Sequence, residues 1–289
     1  MEERYIHMNT KRPVIIDADT ANEVDDLFAI VRALIMPKWD IRGLSSVQWQ
    51  SSHYATPNTL EDSQRLNEAL LFLLNMSHIP HPRGAANRLY DFGDDVAQHS
   101  AAAYHIIKEA QRMPVGERLT VIAIGALTNV ASALLIEPDI ASKISLYVLG
   151  TSYDFENKVW KKDDFNCVMD IQAINVVLDT EELDTHILPM NIAVSYQFSH
   201  EEMRERLDNS VPVLEFLLHR WYNHVDGSRV QRILWDLALI ELLLYPEWGT
   251  EVQITTPPEN TQRQVLVYQS LNVDKAREEF FEAMQLLNE

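Results

Sequence analysis

The stretch VIIDADTANEVDDLFAIV, residues 14–31, decides how this chain is read. Val14-Ile15-Ile16 is an apolar run of the kind that forms a strand buried on both faces. Behind it Leu27, Ile30, Val31 and Leu34 recur at helical spacing, so the intervening residues form a strand-to-helix turn. That turn carries Asp17, Asp19, Glu23, Asp25 and Asp26. So many carboxylates cannot all remain ionised in a partly buried turn unless a positive charge joins them. A hard cation with oxygen ligands meets that need, and Ca²⁺ tolerates flexible carboxylate geometry better than Mg²⁺. The plainer reading is a solvated acidic first turn favoured by the helix dipole. The position of Asp19 at a strand end, where ligands collect in open α/β sheets, favours the metal site.

Two motif readings compete for the same residues. An EF-hand loop starting at Asp17 needs an oxygen ligand at its fifth position, Gly at its sixth and Glu at its twelfth. Ala21, Asn22 and Phe28 stand there, so that reading fails. A strand followed by Asp-x-Asp also resembles the haloacid-dehalogenase phosphatases, with Asp17 as nucleophile and Asp19 as acid. That family requires a later acidic motif, for which Gly93-Asp94-Asp95 is the nearest and a poor candidate.

The remaining composition narrows the function classes. The 289 residues carry a formal charge of −19, which opposes binding to nucleic-acid backbones or anionic membranes but not to a neutral small molecule. One cysteine, Cys167, excludes a disulfide framework and a cysteine-based zinc site. No apolar run has the length of a membrane span, and the opening MEERYIHMNTKRP lacks the apolar core of a signal peptide, so a cytoplasmic location is expected.

Strand patterns near 13–18, 41–48, 79–84, 119–125, 144–150 and 185–190 alternate with helical ones near 26–36, 59–76, 97–112, 127–136 and 170–180. Further helical patterns follow near 200–208, 212–225, 234–245 and 274–287, with a hairpin over 251–255 and 263–269. No repeat or linker divides the chain. The expected fold is α/β: one domain over residues 1–289, with a mainly parallel, Rossmann-like central sheet flanked by helices on both faces.

In this order the landmarks resemble the inosine–uridine nucleoside hydrolase family over nearly the full length. Four blocks carry the resemblance. The first is the acidic turn, where the family usually reads Asp-x-Asp-x-Gly-x-Asp-Asp and this chain places five residues between Asp19 and Asp25. The second is Gly125-Ala126-Leu127-Thr128-Asn129-Val130-Ala131 with Leu134 and Glu137-Pro138. The third is Asp164-Phe165-Asn166 with Asp170, where the family usually has Glu-Phe-Asn, and the fourth is Trp235-Asp236 opening a late helix. Ile79-Pro80 to Gly84-Ala85 adds to the match.

The resemblance implies a calcium site made by Asp19, Asp26, Asp236 and the main-chain carbonyl of Thr128. It implies that Asp25 binds the ribose 2-hydroxyl, Asn166 and Asp236 the 3-hydroxyl, and Asp164 the 5-hydroxyl. An asparagine that the family places eight positions before Asn166 falls on Lys158, and Asn157 beside it serves with a one-residue shift. The implied activity is Ca²⁺-dependent hydrolysis of ribonucleosides to nucleobase and ribose, with Asp19 as general base on the attacking water. The implied assembly is a homodimer or homotetramer.

Several positions depart from the family pattern. Trp235 stands where a histidine often serves as acid; its indole face suits stacking on a purine, which gives a purine preference. Gln50 replaces an asparagine, Asn22 and Glu23 lengthen the acidic turn, and Arg88 to Gly93 is short. Trp49 is either a second stacking face or a cover for the sheet. His219 and His224 read as packed or surface histidines, and Cys167 as a small core residue. Beside the purine hydrolase three alternatives remain: a nucleoside-binding member with lost or altered hydrolysis, the phosphatase using Asp17 and Asp19, and an N-ribosyl substrate with a non-purine leaving group.

Overall fold

The fold is that of a computed structural model, which describes residues 11–92 and 96–288; Gly93-Asp94-Asp95 lies outside them. In chain order the elements are β1 (Arg12–Ala18), α1 (Asp25–Leu34), β2 (Trp39–Ser46), α2 (Thr59–Leu73), α3 (Ala101–Gln111), β3 (Leu119–Ala123) and α4 (Thr128–Ile136). There follow β4 (Ile144–Leu149), β5 (Ser152–Asp154), β6 (Val159–Lys161), α5 (Phe165–Met169), α6 (Ile171–Asp179), β7 (Asp184–Leu188) and α7 (Met190–Ala193). The last part comprises β8 (Gln197–Ser199), α8 (His200–Arg206), α9 (Pro212–Tyr222), β9 (Gln231–Ile233), α10 (Trp235–Leu244), β10 (Gly249–Thr255), β11 (Gln264–Leu271) and α11 (Val273–Gln285).

Seven strands form the central sheet in the order β10-β11-β7-β4-β3-β1-β2. All neighbours pair in parallel except β10 with β11. Helices cover both faces, as the apolar runs of β1, β3 and β4 require. Within β1, Val14 and Ile16 join the core cluster that includes α1, α10 and α11, while Ile15 joins the one that includes α3, α4 and α6. The α/β architecture expected from the sequence is the one found.

Strand order sets where a ligand binds. From β1 the chain steps to β2 on one side, then returns to β3 on the other. The loops after β1 and β3 therefore part in opposite directions and leave a crevice beyond their carboxyl ends.

One expected strand is absent. Residues 79–84 lie along β2, and Leu44 N–H and Ser46 N–H donate to the carbonyls of Pro80 and Pro82 at 2.9 and 3.4 Å. Two prolines supply no N–H in return, so only a single bridge, Ser46 to Arg83, forms. The short antiparallel pairs β5–β6, a hairpin, and β8–β9, which flanks α8 and α9, are additions that no periodicity announced. No helix among the described residues is long and apolar enough to cross a membrane.

Candidate active site

The crevice is built by backbone continuity. Ile124 N–H donates to Asp17 O at 2.9 Å and Val47 N–H to Ala18 O at 2.8 Å, so both flanking ladders run on to the end of β1. The chain then turns through Asn22 N–H to Asp19 O, 2.8 Å. Gly125 is required here: a Cβ on it would lie 3.0 Å from Asp19 N and 3.1 Å from Asp19 Cγ. Gly84 is required for the same reason, since its Cβ would sit 2.1 Å from Ser46 O.

Two helix N-termini complete the crevice. Asp25 and Asp26 stand in the first turn of α1, and Asp236 in that of α10. Neither helix has a side-chain cap, and Asp236 N–H donates to Asp25 Oδ2 at 3.2 Å. One turn or more further along, the two helices are locked by a fully buried ion pair. Arg32 Nε meets Glu241 Oε1 at 2.7 Å, and Arg32 Nη2 meets Glu241 Oε2 at 3.3 Å. That pair fixes how α1 and α10 present their acidic first turns to each other.

Carboxylate oxygens of Asp25, Asp26 and Asp236 all lie within 4.8 Å of one another. Asp19 stands outside this tightest set but lines the same cleft. All four are buried. Burial, then mutual repulsion, pushes the carboxyls of Asp19, Asp26 and Asp236 well above the usual range. Asp25 is also raised by burial, with the Asp236 N–H working against it. Asp19 Oδ2 and Asp26 Oδ1 are buried without a hydrogen-bond partner. Orphaned anionic oxygens clustered with no lysine or arginine among them fit a divalent cation with oxygen ligands.

The cleft, about 210 Å³, is lined beyond these acids by Ile124, Leu149, Phe165, Asn166, Met190 and Trp235, and by Asn22 and Glu23. Asn166 is oriented by Nδ2, which donates to Leu149 O at 3.1 Å and Ile124 O at 3.4 Å. Glu23 is raised to about 7 by burial and by the charges of Asp25 and Asp226, against Arg229 and Arg232.

Three expected residues, Asp164, Asn157 and Thr128, are not in this lining. Asp164 caps α5: Thr151 N–H donates to Oδ2 at 2.6 Å and Cys167 N–H to Oδ1 at 3.2 Å. Both oxygens are thereby engaged away from the cleft, and the carboxylate acts by placing Phe165 and Asn166. Asn157 is exposed on the β5–β6 turn, with Nδ2 donating to Asp154 Oδ2 at 2.8 Å. Thr128 begins α4 one turn too late; its hydroxyl donates to Asp170 Oδ2 at 2.6 Å. The β3 end brings Ile124 to the cleft instead. Gln50 is exposed and donates to Asp91 at 3.3 Å.

Asp17 is turned from the cleft as well. Its Oδ1 accepts from Asn129 Nδ2 at 2.9 Å, deep under the β1 end. Asn129 also donates to Ser46 O (3.1 Å) and accepts from Ala85 N–H (2.9 Å), tying three loops together. A nucleophilic Asp17 would have to face substrate, so this placement removes the phosphatase reading.

Sequence reasoning missed Ile124 and Met190 as lining residues and treated Asn22 and Glu23 only as rim insertions. An apolar residue that ends a strand next to an acidic turn was the available signal for Ile124.

Comparison with known proteins agrees with this geometry. The family model described as inosine-uridine preferring nucleoside hydrolase matches residues 14–281. The chain is 27% identical to the non-specific ribonucleoside hydrolase RihC of Salmonella typhimurium, over 84% of this chain and 82% of the relative. It is 26% identical to a probable uridine nucleosidase 1 of Oryza sativa subsp. japonica, over 82% and 78%. In fold it is similar to a purine-preferring ribonucleoside hydrolase from Gardnerella vaginalis, with TM-score 0.71, 17% identity, and 96% and 99% of the two chains covered. The match over residues 14–281, with the acidic cleft at the sheet's switch point, shows that the chain belongs to the inosine-uridine preferring nucleoside hydrolase family and is an N-ribohydrolase.

Proposed function

We propose that the protein hydrolyses the N-glycosidic bond of purine ribonucleosides in a Ca²⁺-dependent reaction, as a single-domain enzyme. The observation that carries this is the buried acidic cluster of the cleft: Asp25, Asp26 and Asp236 within 4.8 Å of one another, with Asp19 on the same wall. Asp19, Asp26 and Asp236 would hold the ion, with the Ile124 carbonyl, not that of Thr128, as the main-chain oxygen. A bound Ca²⁺ supplies fixed positive charge that offsets the carboxylates and eases deprotonation of a water.

The side chains divide the remaining work. Asp19 takes a proton from the water that attacks the anomeric carbon. Asp25, Asp236 and Asn166 hold ribose hydroxyls, because carboxylates and amides fix donor and acceptor directions together. As the glycosidic bond breaks, positive charge grows on the sugar ring, and the surrounding carboxylates stabilise it more than they stabilise neutral substrate. Trp235, on the cleft wall with Phe165 and Met190, presents an aromatic face to the leaving base. The purine preference rests on Trp235 alone, since the relatives' names span purine, uridine and non-specific hydrolases. Cytoplasmic residence and a homodimer or homotetramer complete the proposal; light scattering checks the latter.

Incubation with inosine, adenosine and uridine, with and without chelator, followed by reducing-sugar release, tests the reading. Purine nucleosides should be cleaved faster, and chelation should stop turnover until Ca²⁺ is restored. Unchanged turnover in chelator overturns the metal requirement; faster uridine cleavage overturns the preference. Asp19→Ala should lower kcat by about 10²–10⁴-fold with the fold intact.

A further inference from the structure

Next to the ribose cleft lies a second cavity of about 440 Å³ whose walls include Trp49, Tyr54, Arg220 and His224. A third, of about 420 Å³, joins the two: it shares Asn22, Glu23 and Phe165 with the cleft, and Tyr54 and His224 with the second cavity. The three are thus linked in a row by shared wall residues.

The second cavity is unusual in what it leaves unpaired. Trp49 Nε1, Arg220 Nε and His224 Nε2 are all buried with no hydrogen-bond partner among the described residues. Buried nitrogens in folded proteins are nearly always paired, and two of these, Trp49 Nε1 and Arg220 Nε, are N–H donors that call for an occupant bringing acceptors. Arg220 decides its charge. It makes no ion pair or hydrogen bond among the described residues, in a chain whose formal charge is −19. Arg12 and Arg263, which also lack a carboxylate partner, spend their N–H groups on hydroxyls and carbonyls instead. The one carboxylate in the wall, Asp62, already accepts from the Thr56 hydroxyl. Arg65, also in the wall, is 71% exposed and only 3.9 Å from Glu61.

His224 is held in place from behind. Its Nδ1 lies 2.8 Å from Asp226 Oδ1, and Asp226 is gripped by Arg232 through two contacts of 2.7 Å. An ionised Asp226 accepts, so Nδ1 carries the proton and Nε2 is an acceptor, open to a donor of the occupant and not to its carboxylate.

We propose that this cavity receives a carboxylate borne by the leaving group of a further N-ribosyl substrate, cleaved beside the purine ribosides, with Arg220 as its counter-ion and the Trp49 indole N–H as a second donor. The planar guanidinium matches a carboxylate's two oxygens. A monoanion also suits a wall that already carries Asp62 better than a doubly charged phosphate does. The substrate class is thus an aromatic N-heterocycle carboxylate riboside. The occupant's role as a leaving group rests on the ribohydrolase reading.

Nicotinate and nicotinamide, and their ribosides, differ only in carboxylate against carboxamide. Calorimetric titration of the two free bases should show nicotinate bound on the order of 10- to 100-fold more tightly. Arg220→Gln should erase that preference and Arg220→Lys should keep part of it, and kcat/KM for the two ribosides should follow the same order. Equal binding of acid and amide, or a preference that survives Arg220→Gln, overturns the assignment while leaving riboside cleavage, and the ribohydrolase reading, standing. Arg220-dependent nicotinate binding without cleavage of either riboside supports the pocket and overturns the occupant's role as a leaving group instead.

Discussion

Asp17→Asn separates two acids that sit two residues apart and have opposite surroundings. Asp17 is fully buried, with Oδ1 on Asn129 and Oδ2 unpartnered. Burial raises its pKa from 3.8 to about 7, while the Asn129 hydrogen bond opposes the rise. A group raised on folding stabilises fully below its unfolded pKa, and that contribution is lost as pH climbs to the folded value. Between pH 5 and pH 8 the wild type should therefore lose about 2–3 kcal/mol through this carboxyl. Asparagine keeps the acceptor for Asn129 and cannot ionise, so the variant lacks the slope. At about 2.1 cal/mol/K of unfolding entropy per residue, the difference is ~4 °C in Tm. Thermal melts in excess Ca²⁺, which holds the cleft acids ionised, should show the variant gaining on the wild type by that amount from pH 5 to pH 8. A gap that stays constant over that range refutes the burial argument. Nucleoside turnover should survive the change, because Asp17 does not line the cleft; its loss would return Asp17 to the chemistry.

Other perturbations address the framework. Arg32→Met leaves Glu241 buried without its counter-ion, and Glu241 is already raised to about 7 by burial despite Arg32. The cost should be about 3–5 kcal/mol, and Arg32→Met with Glu241→Leu should recover most of it in denaturant melts. A single-variant loss no larger than that of an exposed pair rejects this account. His186 stacks on Tyr147 with ring centroids 4.2 Å apart. Burial disfavours its charge, but Asp184 at 3.4 Å and Glu251 at 2.7 Å win and raise it to about 9. Its stabilisation is complete below pH 6.5 and fades as pH rises through 9, so His186→Gln should cost about 2 kcal/mol at pH 6 and far less at pH 9.5, read from Tm against pH.

The sheet was legible because β1, β3 and β4 are buried on both faces and read as continuous apolar runs. The helices were legible because their apolar residues recur at the helical period. Residues 79–84 have the same hydrophobic look, and only the donor count at Pro80 and Pro82 shows that no ladder can form. The acids of the cleft were legible because charge at a strand end needs an explanation. The main-chain ligand was not legible because a main-chain oxygen leaves no trace in side-chain identity, and Thr128 follows the cleft-lining Ile124 by only four residues. The local work of Asp164 was legible but not read: Asp three residues before a free N–H is an N-cap pattern, and its carboxylate caps α5. Arg32 and Glu241 are 209 residues apart, and no local signal joins them.

The cleft's own charge balance decides whether backbone dipoles suffice to hold its acids. The first-turn N–H groups of α1 and α10 are free of side-chain caps, and one of them already serves Asp25. Each such dipole interaction contributes about 0.3–1 kcal/mol, up to ~2 in a partly buried setting. Removing a carboxylate from water costs several kcal/mol even after the surroundings relax. With Asp19, Asp25, Asp26 and Asp236 all buried around one cleft, the dipoles fall short by a wide margin. The nearest guanidinium groups do not close the gap, because Arg32 is committed to Glu241 and Arg232 to Asp226. Either protons or a cation must make up the difference. Protons would silence Asp19 as a base, so only the cation leaves the site able to activate water at neutral pH.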